Sequence, residues 1–252
     1  MAKSAAIQER SQPIPASRAL EALTQGEMVE VHALMPWSSN YTFLTTLRYE
    51  DVSLLAIYKP VRGERPLWDF PEGTLALREV AAYLVCRALG WDLIPPTVLR
   101  DGAYGPGAVQ LFIDADYEAH YFSLREQHAR VFQRVAAFDV LVNNADRKAG
   151  HCLLDRDGHI WVVDHGLTFH TEHKLRTVIW EFAGQPIPAD ILADLRHLQA
   201  SQVWPESTWL EQLAQLISQA ELDAFRTRLD RLITAGRYPL PGRGRSVPYP
   251  LV

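Results

Sequence analysis

The chain of 252 residues is 48% hydrophobic, enough apolar material for one core or for two lobes sharing a cleft. Its formal net charge of −5 argues against a general nucleic-acid binder, which would carry a basic face. Cys86 and Cys152 cannot make a disulfide framework, no run approaches the roughly eighteen apolar residues of a membrane span, and the N-terminus lacks a signal-peptide pattern; a soluble cytoplasmic protein is expected.

Residues 1–17 read as a loose polar arm bearing Pro13 and Pro15, followed by a short helix from Ala19 to Thr24 that Ser17 caps and Gly26 ends. The pattern then turns to alternation. Val29–Leu34, Tyr41–Leu47 and Ser53–Tyr58 predict three strands with short links, an antiparallel meander. The first link, Pro36-Trp37-Ser38-Ser39-Asn40, has the Ser and Asn favoured in a hairpin turn. The third strand closes on Lys59, twenty residues before Glu79, which falls in a strongly amphipathic helix predicted over Leu77–Leu89. Glu72, in the long link between them, is a second acid within reach of that lysine. Glu79 is preferred because a helix fixes a side chain more rigidly.

After Gly90, Ile94–Leu99 and Ala108–Ile113 predict two further strands around a turn from Asp101 to Gly107. The second runs into a polar joint, Asp114-Ala115-Asp116-Tyr117. Leu124–Asn143 then carries Val131, Val135, Phe138 and Val142 at helical spacing and leads directly to Asp146. Cys152–Leu154, the turn Asp155-Arg156-Asp157-Gly158 and His159–Val163 form a hairpin, which brings the flanking Asp146–His151 and Asp164–Gly166 to one end. Two carboxylates held that way can share a divalent cation, or one can hold the cation while the other orients a nucleophile. Helices are predicted over Val178–Phe182, Ile191–Leu198, Thr208–Ser218 and Glu221–Thr234, the last two as an antiparallel pair. From Gly236 onward, four prolines and three arginines give an extended segment that either packs across the C-terminal half or is disordered, the latter by default.

Asn144-x-Asp146-Arg147 followed by Val163-Asp164-His165-Gly166-Leu167-x-Phe169 resembles the phosphoinositide 3- and 4-kinase superfamily, which also takes in the HipA-type kinases. From Gly26 to Pro188 the chain is similar to small bacterial proteins labelled phosphatidylinositol 3- and 4-kinase-like, of the SCO1664 type, through the string NADRKxGH. The resemblance implies an α+β, two-lobed protein-kinase-like fold: an arm and short helix over 1–25, an antiparallel-sheet N-lobe over 26–113, a helical C-lobe over 114–235 and a tail over 236–252.

It also implies an ATP- and divalent-metal-dependent phosphotransferase acting on a hydroxyl of a protein, a small molecule or a phosphoinositide. In that reading Asp146 is the proton acceptor, Lys148 reaches the γ-phosphate and Arg147 braces the loop. Lys59 and Glu79 position the α- and β-phosphates, Ser38, Ser39 and Asn40 cover them, and the backbone of Phe112, Ile113 and Asp114 binds adenine. Asp164 holds Mg²⁺ or Mn²⁺. His151 stands where protein kinases have a metal-binding Asn, and imidazole suits Mg²⁺ poorly, so a second metal site is weak, Mn²⁺-selective or absent. Alternatives are a nucleotide-binding pseudokinase scaffold, an adenylyl transferase on the same fold, or a zinc site at His170-x-x-His173, which lacks the cysteines or HExxH needed to complete it. His170, His173, Lys174 and Arg176 offer contacts for an anionic head group or acidic peptide, while no basic amphipathic helix points to stable membrane attachment.

Overall fold

The computed structural model describes residues 15–34, 40–202 and 208–252. Helix α1 (Ala16–Gln25) precedes the meander β1 (Glu27–Leu34), β2 (Phe43–Tyr49) and β3 (Val52–Pro60); helix α2 (Leu75–Ala88) and the strands β4 (Thr97–Gly102) and β5 (Gly105–Leu111) follow. The five strands form one antiparallel sheet in the order β1-β2-β3-β5-β4. Ser17 does not cap α1, whose N-cap is Pro15 and whose C-cap is Gly26.

Strand periodicity decides what the sheet presents to each side. On β3, Leu54, Ala56 and Tyr58 are buried with Val109 against Ala19, Ala22 and Leu23 of α1. One residue out of phase, Lys59 therefore projects to the opposite face. Ala108 of β5 packs there against Ala76 and Val80 of α2. Lys59 and the helix bearing Glu79 meet because a side chain next to a core residue in a strand points the other way.

Helix α2 is not the one-sided amphipathic helix predicted. Ten of its fourteen residues are buried, because it packs on the sheet through Ala76 and Val80 and on the helical half through Ala81, Ala82, Val85 and Cys86. A helix apolar all round belongs between two layers.

The second half holds α3 (Tyr121–Leu124), α4 (Ala129–Val142), the hairpin β6 (Cys152–Leu154) and β7 (Ile160–Val162), and the helices α5 (Ala189–Ser201), α6 (Thr208–Leu216) and α7 (Gln219–Ala235). Phe132, Phe138, Leu141, Leu195, Phe225 and Leu229 are among the residues of its core. The hairpin turn is organised by Asp155, whose carboxylate accepts the amides of Asp157 and His159 and the indole N–H of Trp161. The helix predicted over Leu124–Asn143 is interrupted before Ala129.

Two expectations fail here. Val178–Phe182 is not helical, because the Val178 amide bonds the Arg147 carbonyl and the segment then goes round a turn closed by Trp180 and Ala183. The tail from Gly236 is not disordered: it lies along the helical half, exchanging backbone hydrogen bonds through Gly236, Tyr238, Ser246 and Leu251. Among the described residues no helix is long and apolar enough to cross a membrane.

Close approach of β5 to β3 requires Gly107, where a Cβ would stand 2.5 Å from the Lys59 carbonyl oxygen and 2.7 Å from Pro60 Cα. Both contacts are backbone and cannot swing aside. Gly107→Ala is expected to destabilise the fold by about 1–3 kcal/mol, read as a lower urea midpoint at unchanged slope.

Candidate active site

Lys59 Nζ lies 3.1 Å from Asp164 Oδ1 and makes a short ion pair with Glu79 Oε1. Glu79 Oε2 accepts the His165 amide at 2.9 Å, so one carboxylate joins the strand lysine to the Asp164-His165-Gly166 turn. Burial alone would lower the Lys59 pKa, but Asp164 and Glu79 together hold it above that of a free lysine. Lys59 likewise holds Asp164 well below the usual carboxylate range, against the opposing effect of burial. Even so, 52% of the Asp164 side chain stays open to the cleft. Solvent screens a pair so exposed, so its value lies in placement more than in fold stability.

Asp164 sits at φ 62°, a left-handed backbone unusual for a residue with a side chain. Strain of this kind gathers where geometry is held for use. The backbone is fixed from beneath by Arg147, whose guanidinium donates to the Val163 carbonyl at 2.9 Å and to Asp139 Oδ1 and Oδ2 at 3.0–3.2 Å. Its Nη2 also lies 2.7 Å from His165 Nε2. Arginine can only donate, so His165 carries its proton on Nδ1; burial, reinforced by Arg147, keeps the ring neutral. Arg147 has no exposed side-chain surface and so cannot touch a reactant; its contacts are those of a brace, not of a catalytic group.

Asp146 lies at the mouth of the same loop, with Lys148 Nζ 3.2 Å from its Oδ2. Burial raises its pKa, with Lys148 opposing, which makes it a better proton acceptor than a solvated aspartate. The amide of Asp146 is held by Asn144 Oδ1 at 3.0 Å. His151 Nε2 lies 3.3 Å from Asp164 Oδ2, while its Nδ1 faces the Lys148 amide at 3.4 Å. Burial pushes the imidazole pKa down to about 4, so the ring is neutral at pH 7.

As a divalent-cation site the set fits in part. Asp164 supplies the oxygen ligand that Mg²⁺ prefers. With Nδ1 accepting an amide, His151 carries its proton on Nε2, and ligation would require that proton to move. Among the described residues no group of three or more His, Cys, Asp or Glu side chains could hold a metal unaided. Remaining ligands would come from phosphate and water, as is usual for Mg²⁺ at nucleotide sites.

The contacts of the other predicted residues that the structure describes lie elsewhere. Ser38 and Ser39 lie outside the described residues. Asn40 turns its side-chain oxygen to the Arg65 amide at 2.9 Å, anchoring the link after β3. Phe112 commits its amide to the Leu55 carbonyl, which removes that donor from any adenine contact. Ile113 is half-buried, and Asp114 pairs with Arg156 at 2.7 Å. Glu72 lines a cavity of about 300 Å³ beneath the β3–α2 link, and Lys59 pairs with Glu79. His170 is occupied on both ring nitrogens, by the Asp69 carbonyl and the Glu172 amide, which leaves that residue no free nitrogen for zinc.

Several supporting residues had no motif to announce them. Asp139, on the inner face of α4, accepts from Arg147, Asn144 and Thr177. Asn143 takes the left-handed cap of α4 and holds the segment after the turn through His170, Glu172 and Lys174. Arg78, buried beside Glu79, ties α2 to Glu221 of α7 and to the Thr168 carbonyl. The signal available was a charged residue inside an apolar helical face, at Asp139 and Arg78.

No family model matches the chain. The chain superposes on the Helicobacter pylori proinflammatory kinase CtkA with a TM-score of 0.50 at 13% identity, covering 86% of this chain and 94% of that one. Sheet, central helix and the lysine–acid cluster thus define a protein of kinase-like fold. By sequence it is 40% identical to Protein Rv2133c of Mycobacterium tuberculosis over 90% of this chain and 93% of that protein, and it belongs to the same family. It is also 30% identical to the rice phosphatidylinositol 4-kinase gamma 4 over 60% of this chain, spanning 34% of that longer protein.

Removing Asp139 would leave the Arg147 guanidinium buried without its counter-ion. Asp139→Ala is expected to cost about 3–5 kcal/mol of stability in chemical denaturation, a loss that Asp146→Ala, at the open mouth of the loop, does not share.

Proposed function

We infer that the chain is a phosphotransferase of the phosphatidylinositol 3- and 4-kinase-like, SCO1664-type group, dependent on ATP and a divalent cation. The observation that carries this reading is the meeting of Lys59, Glu79 and Asp164 from a strand, a helix and a turn far apart in sequence. A partly buried amine shared by two acids, one of them half open to a cleft, is an arrangement for gripping a polyphosphate and its counter-ion.

In this reading Lys59 holds the α- and β-phosphates and Glu79 keeps the amine aimed. Asp164 holds the cation, which when bound offsets the charge on the phosphate oxygens. Lys148 faces the γ-phosphate. Asp146 takes the proton from the acceptor hydroxyl as that oxygen bonds the γ-phosphorus and the bond to the bridging β–γ oxygen breaks, releasing ADP. The acceptor is a hydroxyl of a protein, a small molecule or a phosphoinositide, and the similarity to a phosphatidylinositol 4-kinase puts the inositol head group among the first to test.

Asp164→Ala is expected to abolish cation-dependent ATP turnover. Asp146→Ala should lower kcat by about 100-fold or more while leaving the affinity for a fluorescent ATP analogue nearly unchanged. ADP release across a panel of acceptors measures the first, equilibrium titration the second; normal turnover in both variants would sink the assignment. Intact mass after incubation with ATP and Mg²⁺ or Mn²⁺ identifies the group transferred, phosphoryl or adenylyl.

A further inference from the structure

The extended segment that ends the chain uses its backbone in an unexpected way. The Ser246 carbonyl accepts the Thr177 amide at 3.1 Å and the Trp180 indole N–H at 2.9 Å. Five residues on, the Leu251 carbonyl accepts the Ala149 amide at 2.8 Å. Meanwhile Tyr249, Leu251 and Val252 leave 81%, 45% and 58% of their surface exposed. A segment kept for apolar packing would bury those side chains; this one leaves them in solvent and commits its carbonyls instead.

Both acceptors serve the loop that carries Asp146. Thr177 bridges to Arg147 in parallel register, and its hydroxyl donates to Asp139. Within the loop itself, the Asp146 amide goes to Asn144, that of Arg147 to the Arg176 carbonyl, that of Lys148 to His151 and that of His151 to the Lys148 carbonyl. The acceptor for Ala149 comes from the end segment. Ala149 is fully buried and opens the single 3-10 turn that presents His151 to Asp164. A buried amide whose acceptor is withdrawn must find another or move.

We propose that residues 246–252 form a strap that positions the catalytic loop, the Leu251 carbonyl holding Ala149 so that Asp146, Lys148 and His151 keep their places. The strap's contribution to turnover rests on the phosphotransferase reading; its hold on the loop does not. Arg245, just before it, donates from Nε to the Val247 carbonyl at 3.1 Å and lies near enough to Asp146 for its charge to oppose the effect of burial there.

Two variants break the same bond from opposite sides. A chain ending at Pro248 removes the acceptor. Ala149→Pro removes the donor without refolding the loop, since proline suits the first position of a helical turn and Lys148 before it is already extended, at φ −89° and ψ 163°. The shortened chain is expected to bind a fluorescent ATP analogue within about twofold of the intact one, to lose at least about tenfold in kcat, and to exchange the amides of residues 146–152 at least about tenfold faster. Ala149→Pro should show the same loss of kcat, and the double variant should fall no further than either single one. Unchanged exchange in the shortened chain, or a double variant whose loss is the product of the two single losses, overturns the strap. If the intact chain binds nucleotide without turnover on any acceptor, the phosphotransferase reading fails and the exchange comparison alone decides the strap.

Discussion

Everything at the candidate site rests on one buried guanidinium. Arg147 reaches from the loop after α4 to Asp139 within that helix, to the carbonyl just before Asp164 and to the ring just after it. The Asp146 loop and the Asp164 turn are thereby fixed to α4 and to one another. A fully buried ion pair adds little net stability compared with apolar packing, because both charges must leave water. Its contribution here is geometric: the five donors of arginine lie in one plane at fixed angles, and few alternative arrangements of the loop satisfy them all.

Above that brace, the cleft is assembled by periodicity. The phase of β3 sets Lys59 opposite the α1 face, and the burial of α2 between two layers sets Glu79 beneath it. Glu79 then joins the two halves, one oxygen on the lysine and the other on the His165 amide. Because Asp164 stays half open, the pair it makes with Lys59 can yield to an incoming anion without unpacking the core.

Much of this was legible in the chain, for identifiable reasons. Alternation marked the meander, and the Asp155–Gly158 turn marked the hairpin that brings Asp146 and Asp164 to one end, because local signals decide hairpins. The strand lysine and the helical glutamate could be named because each stands out against an apolar run. What could not be read were contacts made by backbone. The docking of the tail depends on carbonyls, which are the same in every residue, so a Pro- and Arg-rich stretch looked like one with nothing to bind. Val178–Phe182 looked helical for the same reason: its composition allowed a helix, but its amide was already claimed by Arg147. Asp139 and Arg78 were hidden differently, as charges within helical faces whose partners lie far away along the chain.

The fastening of α2 has one more consequence. Glu79 faces the sheet lysine while its neighbour Arg78, only 1% exposed, is clasped by Glu221 and the Thr168 carbonyl on the opposite half. Swinging this helix outward would part Arg78 from the Thr168 carbonyl and leave the Glu221 carboxylate without its counter-ion. Rocking of α2 is therefore opposed from both of its sides, and the placing of Glu79 against Lys59 is part of the folded packing itself.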